Sequence, residues 1–104
     1  MWGNLDLMES VTANLKAFLQ YVAVSLIENP SKATLKVAEL GPNKLRFKLI
    51  LDGSDVALMI GRNGFTASAI RSMMKAAGEK VGVQVSLLIH SHEEEAQMAA
   101  KGEA

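Results

Sequence analysis

The run from Ile60 to Arg71 constrains the fold of this chain more than any other segment. It reads Ile-Gly-Arg-Asn-Gly-Phe-Thr-Ala-Ser-Ala-Ile-Arg, with Gly61 and Gly64 three residues apart between an apolar stretch and a helical pattern. Glycine permits a tight turn and the close approach of another backbone, because it has no Cβ. A helix that begins directly after such a turn exposes unpaired N–H groups and its positive end. The segment therefore predicts a tight turn between two helices, at a place where a phosphate binds readily.

The spacing of apolar residues predicts six elements, in the order helix, strand, strand, helix, helix, strand. Apolar residues three and four apart indicate helices, and alternation of apolar and polar residues indicates strands. The expected elements are a helix over about 4–28, strands around 35–38 and 45–51, a short helix ending at 59, a helix over 66–79 and a strand over 83–90. The residues expected to face the core from the two long helices are Val11, Leu15, Phe18, Leu19, Val22, Leu26 and Ile27, then Ala69, Ile70, Met73 and Ala77. We therefore expect an α+β fold in which a three-stranded sheet packs on helices.

Length and composition indicate one folded domain. The chain has 104 residues, of which 49% are hydrophobic, and no cysteine. This size supports one modest core, and without cysteine there is no disulfide, thiol nucleophile or zinc–thiolate site.

Residues 1–92 are predicted to form the domain, and residues 93–104 an acidic, alanine-rich tail that is either a frayed helix or disordered. Because no apolar run is long enough to span a bilayer, we expect a soluble cytoplasmic protein, and we expect no cofactor.

The charged residues are unevenly distributed, although the formal net charge is zero. Residues 44–80 contain seven basic and three acidic residues, whereas residues 81–104 contain one basic and four acidic residues. At physiological salt, charges more than about 8 Å apart are largely screened, so a local excess matters more than the total. The basic excess falls on the segment with the two glycines, which favours an anionic ligand there.

Two segments resemble the small bacterial KH-domain proteins of the KhpA type, which have the type II KH arrangement. The first runs from Val22 to Lys36 and includes an Asn-Pro break after an amphipathic helix. The second runs from Asp55 to Arg71, where Ile-Gly-Arg-x-Gly-x-Thr leads into Ala-Ile-Arg. KH domains hold about four nucleotides of single-stranded nucleic acid by their backbone, using a GXXG loop. The resemblance covers roughly residues 12–90, and the first dozen residues, with Trp2, and the acidic tail extend beyond the usual family chain.

The resemblance implies a non-catalytic protein that binds single-stranded RNA, with a role in RNA metabolism such as post-transcriptional regulation or RNA chaperone activity. It also implies self-association, or pairing with a larger KH-containing protein of the Jag type. The positions that match the family's loop and following helix are Ile60, Gly61, Arg62, Asn63, Gly64, Thr66, Ala69, Ile70 and Arg71. Apart from Ala69 and Ile70, these residues are the RNA-contact candidates, together with Lys75. Phe65 departs from the pattern, because the family often has a basic or polar residue there.

Several candidates have a second interpretation that the sequence leaves open. Asn63 either adopts a left-handed backbone or donates to a phosphate. Arg71 and Lys75, four residues apart on a helix, either flank the bound strand or form an ordinary solvated face. Phe65 either stacks on a base or packs, over the helix start or in a dimer interface. Met59 is a further candidate for base stacking or dimerisation.

Two other groups of residues receive structural interpretations. Lys44, Arg46 and Lys48 alternate along one face of the second strand, and we interpret them as protection of an exposed sheet edge. His90 and His92 lie two residues apart, but two histidines without further ligands make a poor zinc site, so no metal is expected.

The alternative function is a KH-fold module for protein–protein interaction or dimerisation, with little affinity for RNA. The zero net charge and the apolar residue at position 65 favour it. An enzyme is not expected, because the chain has no GxxxxGK[ST] phosphate loop, no cysteine and no grouping of histidine with carboxylates.

Overall fold

The computed structural model describes residues 4–102, so Trp2 and the end of the acidic tail lie outside the described residues. Its elements are helices α1 (Asn4–Leu26), α2 (Gly53–Ile60), α3 (Phe65–Glu79) and α4 (His92–Ala100), and strands β1 (Thr34–Gly41), β2 (Lys44–Leu51) and β3 (Gln84–Ser91). Single 3-10 turns follow α1, at Pro30–Lys32, and α2, at Arg62–Gly64. None of the described helices is long and apolar enough to cross a membrane. The first six elements have the predicted order, which confirms the α+β, type II KH arrangement, and α4 is added to it.

β2 is the central strand of a mixed sheet with the order β1-β2-β3. β1 and β2 form an antiparallel hairpin, in whose turn Asn43 has a positive φ of 63°. β2 and β3 are parallel, so the chain has to cross from one end of the sheet to the other between them. Helices α2 and α3 make this crossing, and the glycine turn lies between them. β1 and β3 are consequently the two edge strands.

The core lies between one face of the sheet and helices α1, α2 and α3. The largest fully buried apolar side chains are Leu19, Leu45, Phe47, Leu51, Met59 and Met74. Leu15, Leu19 and Ile27 are buried as predicted, but Leu26 is 39% exposed and its prediction is wrong. The buried residues at the end of α1 recur every four positions, and Leu26 lies one position before this row.

The buried face of α3 differs from the predicted one. The helix buries Ala67, Ile70, Met74 and Gly78. The residues predicted to be buried but found exposed are Ala69, Met73 and Ala77. Both sets have helical spacing, so periodicity did not distinguish them. The close approach of α3 to β3 does, because a Cβ on Gly78 would lie 2.5 Å from Cγ2 of Val85.

The interpretation of Lys44, Arg46 and Lys48 as edge protection is wrong, because β2 is the central strand. Side chains alternate between the two faces of a strand, and the neighbouring residues Leu45 and Phe47 point into the core. The three basic residues therefore lie on the opposite face, which we call the outer face of the sheet. Lys44 is exposed and Arg46 half-buried, whereas Lys48 is only 8% exposed.

Helix α4 covers one end of the outer face. A capping box begins it, in which the hydroxyl of Ser91 accepts from the N–H of Glu94 at 3.0 Å and the carboxylate of Glu94 accepts from the N–H of Ser91 at 2.9 Å. These bonds hold the pKa of Glu94 below its usual value. Glu95 then forms an ion pair of 3.2 Å with Lys48. Residues 92–100, which the sequence left open between a frayed helix and a disordered tail, are thus a helix with a defined start and a contact to the sheet.

Asp55 joins α2 to the end of α1. Its carboxylate is fully buried and accepts from the backbone N–H groups of Glu28 and Asn29, both at 2.9 Å. The residue that caps α2 is Asp52, whose side chain accepts from Ser54. Asp55 therefore holds α2, and with it the glycine turn, against the loop after α1.

Candidate nucleic-acid interface

The turn between α2 and α3 is held by its own backbone. The N–H of Gly61 donates to the carbonyl of Ala57 at 2.9 Å, and the N–H of Gly64 donates to the carbonyl of Gly61 at 3.1 Å. Positive φ angles occur at Gly61 (77°), Asn63 (57°) and Gly64 (76°). Asparagine is one of the few residues with a Cβ that tolerate this region. The left-handed backbone predicted as one alternative for Asn63 is confirmed, and its contact with a phosphate stays a prediction.

Gly61 occupies a position that only glycine fills without strain. Its φ of 77° and ψ of 177° lie in a region that is almost restricted to glycine. A Cβ there would also overlap the side chain of Thr66, lying 2.6 Å from its Cβ. The half-buried Thr66 thus packs against the turn backbone. Its role in the geometry is to close the turn onto the start of α3.

Arg62 lies at the tip of the turn. Its side chain is exposed, and it forms no ion pair with the described side chains, those of residues 8–102. Helix α3 begins three residues after Arg62, so the positive end of its dipole lies in the same turn. Ile60, on the other side of the turn, is half-buried and packs against the core. The turn therefore presents a free cation and a helix start together, both of which favour a phosphate group.

A groove of about 430 Å³ lies between α3 and the edge strand β3. Its lining residues are Ser68, Arg71, Ser72 and Lys75 from α3, with Val85, Ser86 and Leu87 from β3. The groove begins one helical turn beyond Gly64, and at 1.5 Å per residue its α3 side extends about 10 Å from Ser68 to Lys75. The turn and this groove, which we call the α3–β3 groove, therefore follow one another along the same helix.

Arg71 is fixed across the α3–β3 groove. Its Nε donates to the carbonyl oxygen of Leu87 at 3.1 Å. A guanidinium has five N–H donors, so most of them remain for a ligand. Lys75 lines the same groove one turn further along α3. The structure brings the two predicted residues together at one surface, and their contact with RNA stays a prediction.

Phe65 and Met59 have opposite environments. Phe65 is 69% exposed, which excludes the interpretation that it packs over the helix start and leaves base stacking or an interface. Met59 is fully buried in the core. The prediction that Met59 stacks on a base or forms an interface is therefore wrong, since its side chain reaches no surface.

The serine residues of the α3–β3 groove were not predicted from the sequence. Ser68, Ser72 and Ser86 contribute hydroxyl groups, which both donate and accept hydrogen bonds. On α3 a signal was present, because Ser68, Arg71, Ser72 and Lys75 have helical spacing. For Ser86 the sequence contains no such signal, because only the packing of α3 on β3 brings this residue close to the groove residues of α3.

His90 and His92 face different partners. The ring of His92 is hydrogen-bonded to the carbonyl of Lys32, whereas Nδ1 of His90 lies 3.5 Å from the carboxylate of Glu95. Among the described side chains, no three histidine, aspartate or glutamate residues are arranged to hold a metal ion.

Comparison with known proteins assigns the chain to a family. The family model for the KH domain of KhpA/KhpB matches residues 16–89, a span that includes the turn, α3 and most of β3. No solved structure matches the chain significantly.

Relatives in several bacteria are named RNA-binding protein KhpA. The Chlamydia trachomatis protein is 32% identical over 75 residues, covering 72% of this chain and 95% of the relative. The Aquifex aeolicus protein is 31% identical over 75 residues, covering 72% of this chain and 94% of the relative. The Streptococcus pneumoniae protein is 45% identical over 49 residues, covering 47% of this chain and 61% of the relative. The chain therefore belongs to the KhpA/KhpB family of KH-domain proteins, a family of RNA-binding proteins rather than enzymes.

Proposed function

We propose that this protein grips single-stranded RNA by its backbone at the Gly61–Gly64 turn. The supporting observation is that the turn places the exposed Arg62 beside the start of α3. A guanidinium pairs bidentately with a phosphate, and the unpaired N–H groups of a helix start attract the same anion. Membership of the family, and relatives named for RNA binding, support the same ligand.

The strand then continues from the turn into the α3–β3 groove. Arg71 and Lys75 contact the next phosphates, while the half-buried Val85 offers an apolar surface to a base. The hydroxyl groups of Ser68 and Ser72 can pair with base edges or with the ribose 2′-OH, which distinguishes RNA from DNA.

Binding by one copy should be modest and should depend on salt. With Arg62, Arg71 and Lys75 as the phosphate contacts, the logarithm of the affinity should fall with the logarithm of the salt concentration with a slope of about −2. The formal net charge of zero adds no long-range attraction to RNA.

The double variant Arg62→Asp, Asn63→Asp tests the turn. Fluorescence anisotropy with a labelled single-stranded RNA should show a loss of about tenfold or more, because two carboxylates replace the phosphate partners. The matched control is Asn14→Asp, Lys16→Asp, which makes the same change in charge at exposed positions of α1. The control should bind like the native chain. Equal affinity of all three proteins would reject the turn as the contact site.

A second function, self-association or pairing with another KH-containing protein, is favoured by an exposed apolar row on α3. Phe65 is 69% and Met73 53% exposed, and the exposed Ala69 lies between them at positions four apart. This row lies beside the groove residues on the same helix, so a partner on it leaves the α3–β3 groove open. Two linked copies would raise the avidity for a longer RNA without any new contact.

Sedimentation equilibrium tests this row. We expect the native chain to dimerise at micromolar concentration and the variant Phe65→Ser, Met73→Ser to be monomeric while retaining its affinity for a short RNA. A native chain that stays monomeric would reject self-association. A variant that stays dimeric would place the interface elsewhere.

A further inference from the structure

The outer face of the sheet is basic and meets the α3–β3 groove at the edge strand β3. Within the three strands, its basic residues are Lys36, Lys44, Arg46 and Lys48, and no acidic residue alternates onto it. Lys36 and Lys48 are direct cross-strand partners. Like charges at directly opposed positions destabilise a sheet, so stability of the sheet does not explain this arrangement.

Glu95 forms an ion pair with only one of these residues, although the charge of Lys36 also helps to lower the pKa of Glu95. Its carboxylate lies 3.2 Å from Nζ of Lys48, whose side chain is 9% exposed beneath α4. Lys36 is exposed and Arg46 half-buried, and neither forms an ion pair among the described residues. Lys36 and Arg46 therefore remain available to an anion from solution, as does the exposed Lys44.

These cations surround a shallow depression. It has a volume of about 130 Å³ and is lined by Lys36, Ala38, Arg46 and Lys48. The small side chain of Ala38 leaves the space between the charged groups open. A carboxylate of this chain already occupies the Lys48 side of this cluster, which shows that the geometry accepts an anion.

The depression is connected to the α3–β3 groove through one row of the sheet. Ser86 lines the groove and is the cross-strand partner of Arg46, which is in turn the partner of Ala38. Neighbouring strands are about 4.8 Å apart, so the row from Ser86 to Ala38 spans about 10 Å. A strand that leaves the groove over the edge of β3 therefore meets Arg46 first and Lys36 next.

We infer that Lys36 and Arg46 form a second contact site, for the phosphodiester backbone of the same RNA after it has crossed the β3 edge. The inference rests on the proposed function, because the groove supplies the strand. Complementary charge selects the occupant, and Glu95 competes with it at Lys48. RNA longer than the turn and groove can hold should thus bind more tightly than a short oligonucleotide.

Anisotropy with 4- and 12-nucleotide single-stranded RNAs tests the site. The variant Arg46→Gln should bind the 4-mer like the native chain and the 12-mer more weakly, with a salt slope smaller by about 0.7. Lys16→Gln, which removes one exposed cation from α1, is the matched control and should bind both RNAs like the native chain. Glu95→Gln should strengthen binding of the 12-mer only. Lys36→Gln, at an exposed position, repeats the test where folding is not in question.

The outcomes separate the two proposals. Weaker 12-mer binding in Arg46→Gln and Lys36→Gln, but not in Lys16→Gln, supports the second site. Equal salt slopes for all these proteins on the 12-mer overturn it, even if the 4-mer binds as proposed. Failure of the native chain to bind the 4-mer overturns the proposed grip at the turn, and failure to bind either RNA overturns both proposals.

Discussion

Gly61 and Gly64 stand in the same turn with nearly the same φ, yet they meet different requirements. At position 61, other residue types are excluded by the ψ angle and by the overlap of their Cβ with the side chain of Thr66. At Gly64 no atom lies within 4 Å of the position of a Cβ, and the ψ of 8° is in the ordinary left-handed region. One glycine is thus required by packing and backbone together, and the other by backbone preference alone.

Replacement by alanine should separate these requirements. We expect Gly61→Ala to lower the free energy of unfolding by about 2–4 kcal/mol, since strain of about 1–3 kcal/mol adds to the overlap with Thr66. Gly64→Ala should cost about 1–2 kcal/mol, the ordinary cost of a left-handed residue with a Cβ. Urea unfolding of both variants measures the difference. Similar losses of unfolding free energy in the two variants would contradict the packing of Thr66 on Gly61.

At the scale of elements, α2 shows how a short helix is held in place. A helix of eight residues is only marginally stable alone in water. Met59 anchors one side of it in the core, and Asp55 binds two backbone N–H groups after α1. The position of the turn that follows α2 therefore depends on α1, which is distant in the sequence.

Asp55→Ala should consequently be far more damaging than Asp52→Ala. Loss of two hydrogen bonds to a buried carboxylate should cost about 3 kcal/mol or more, whereas loss of the half-buried cap at Asp52 should cost much less. Urea unfolding gives both values. Hydrogen exchange at the amides of Glu28 and Asn29 should accelerate in Asp55→Ala only, and unchanged protection there would contradict the assigned contact.

At the scale of the whole molecule, the acidic C-terminal segment folds back on the basic part of the chain. The hydrogen bond from Lys48 holds the pKa of Glu95 below its usual value of 4.5, and the nearby His90 acts in the same direction. A carboxyl group with a lowered pKa stabilises the fold above its usual pKa, and this contribution is lost as the pH falls through the lowered value. The contact of α4 with the sheet should therefore weaken in acid.

Glu95→Gln should remove this part of the pH dependence. As the pH falls below the usual glutamate pKa of 4.5, the free energy of unfolding of the native chain should fall more steeply than that of Glu95→Gln, because only the native chain loses the ionised partner of Lys48. Urea unfolding at a series of pH values provides the comparison. Asp52 and Glu94, whose pKa values are also lowered, remain in both proteins. Parallel pH profiles would contradict a contribution from Glu95.

The sequence by itself determined the order of the six elements, the site of the tight turn and the family, because these depend on local patterns. Alternation, helical spacing and two glycines three apart are read within about a dozen residues. The left-handed backbone of Asn63 was also one of the alternatives that the sequence indicated.

Only the tertiary structure decided which of two equally spaced faces α3 buries, that Lys48 lies beneath α4, and that Asp55 reaches Glu28. Each depends on residues far apart in the chain, and the first two overrode a reasonable local interpretation. Met73 looked like a core residue and is exposed, whereas Met59 looked available to a partner and is buried. The physical reason is that burial is settled by the fit of whole elements against one another, and periodicity along one element is compatible with more than one fit.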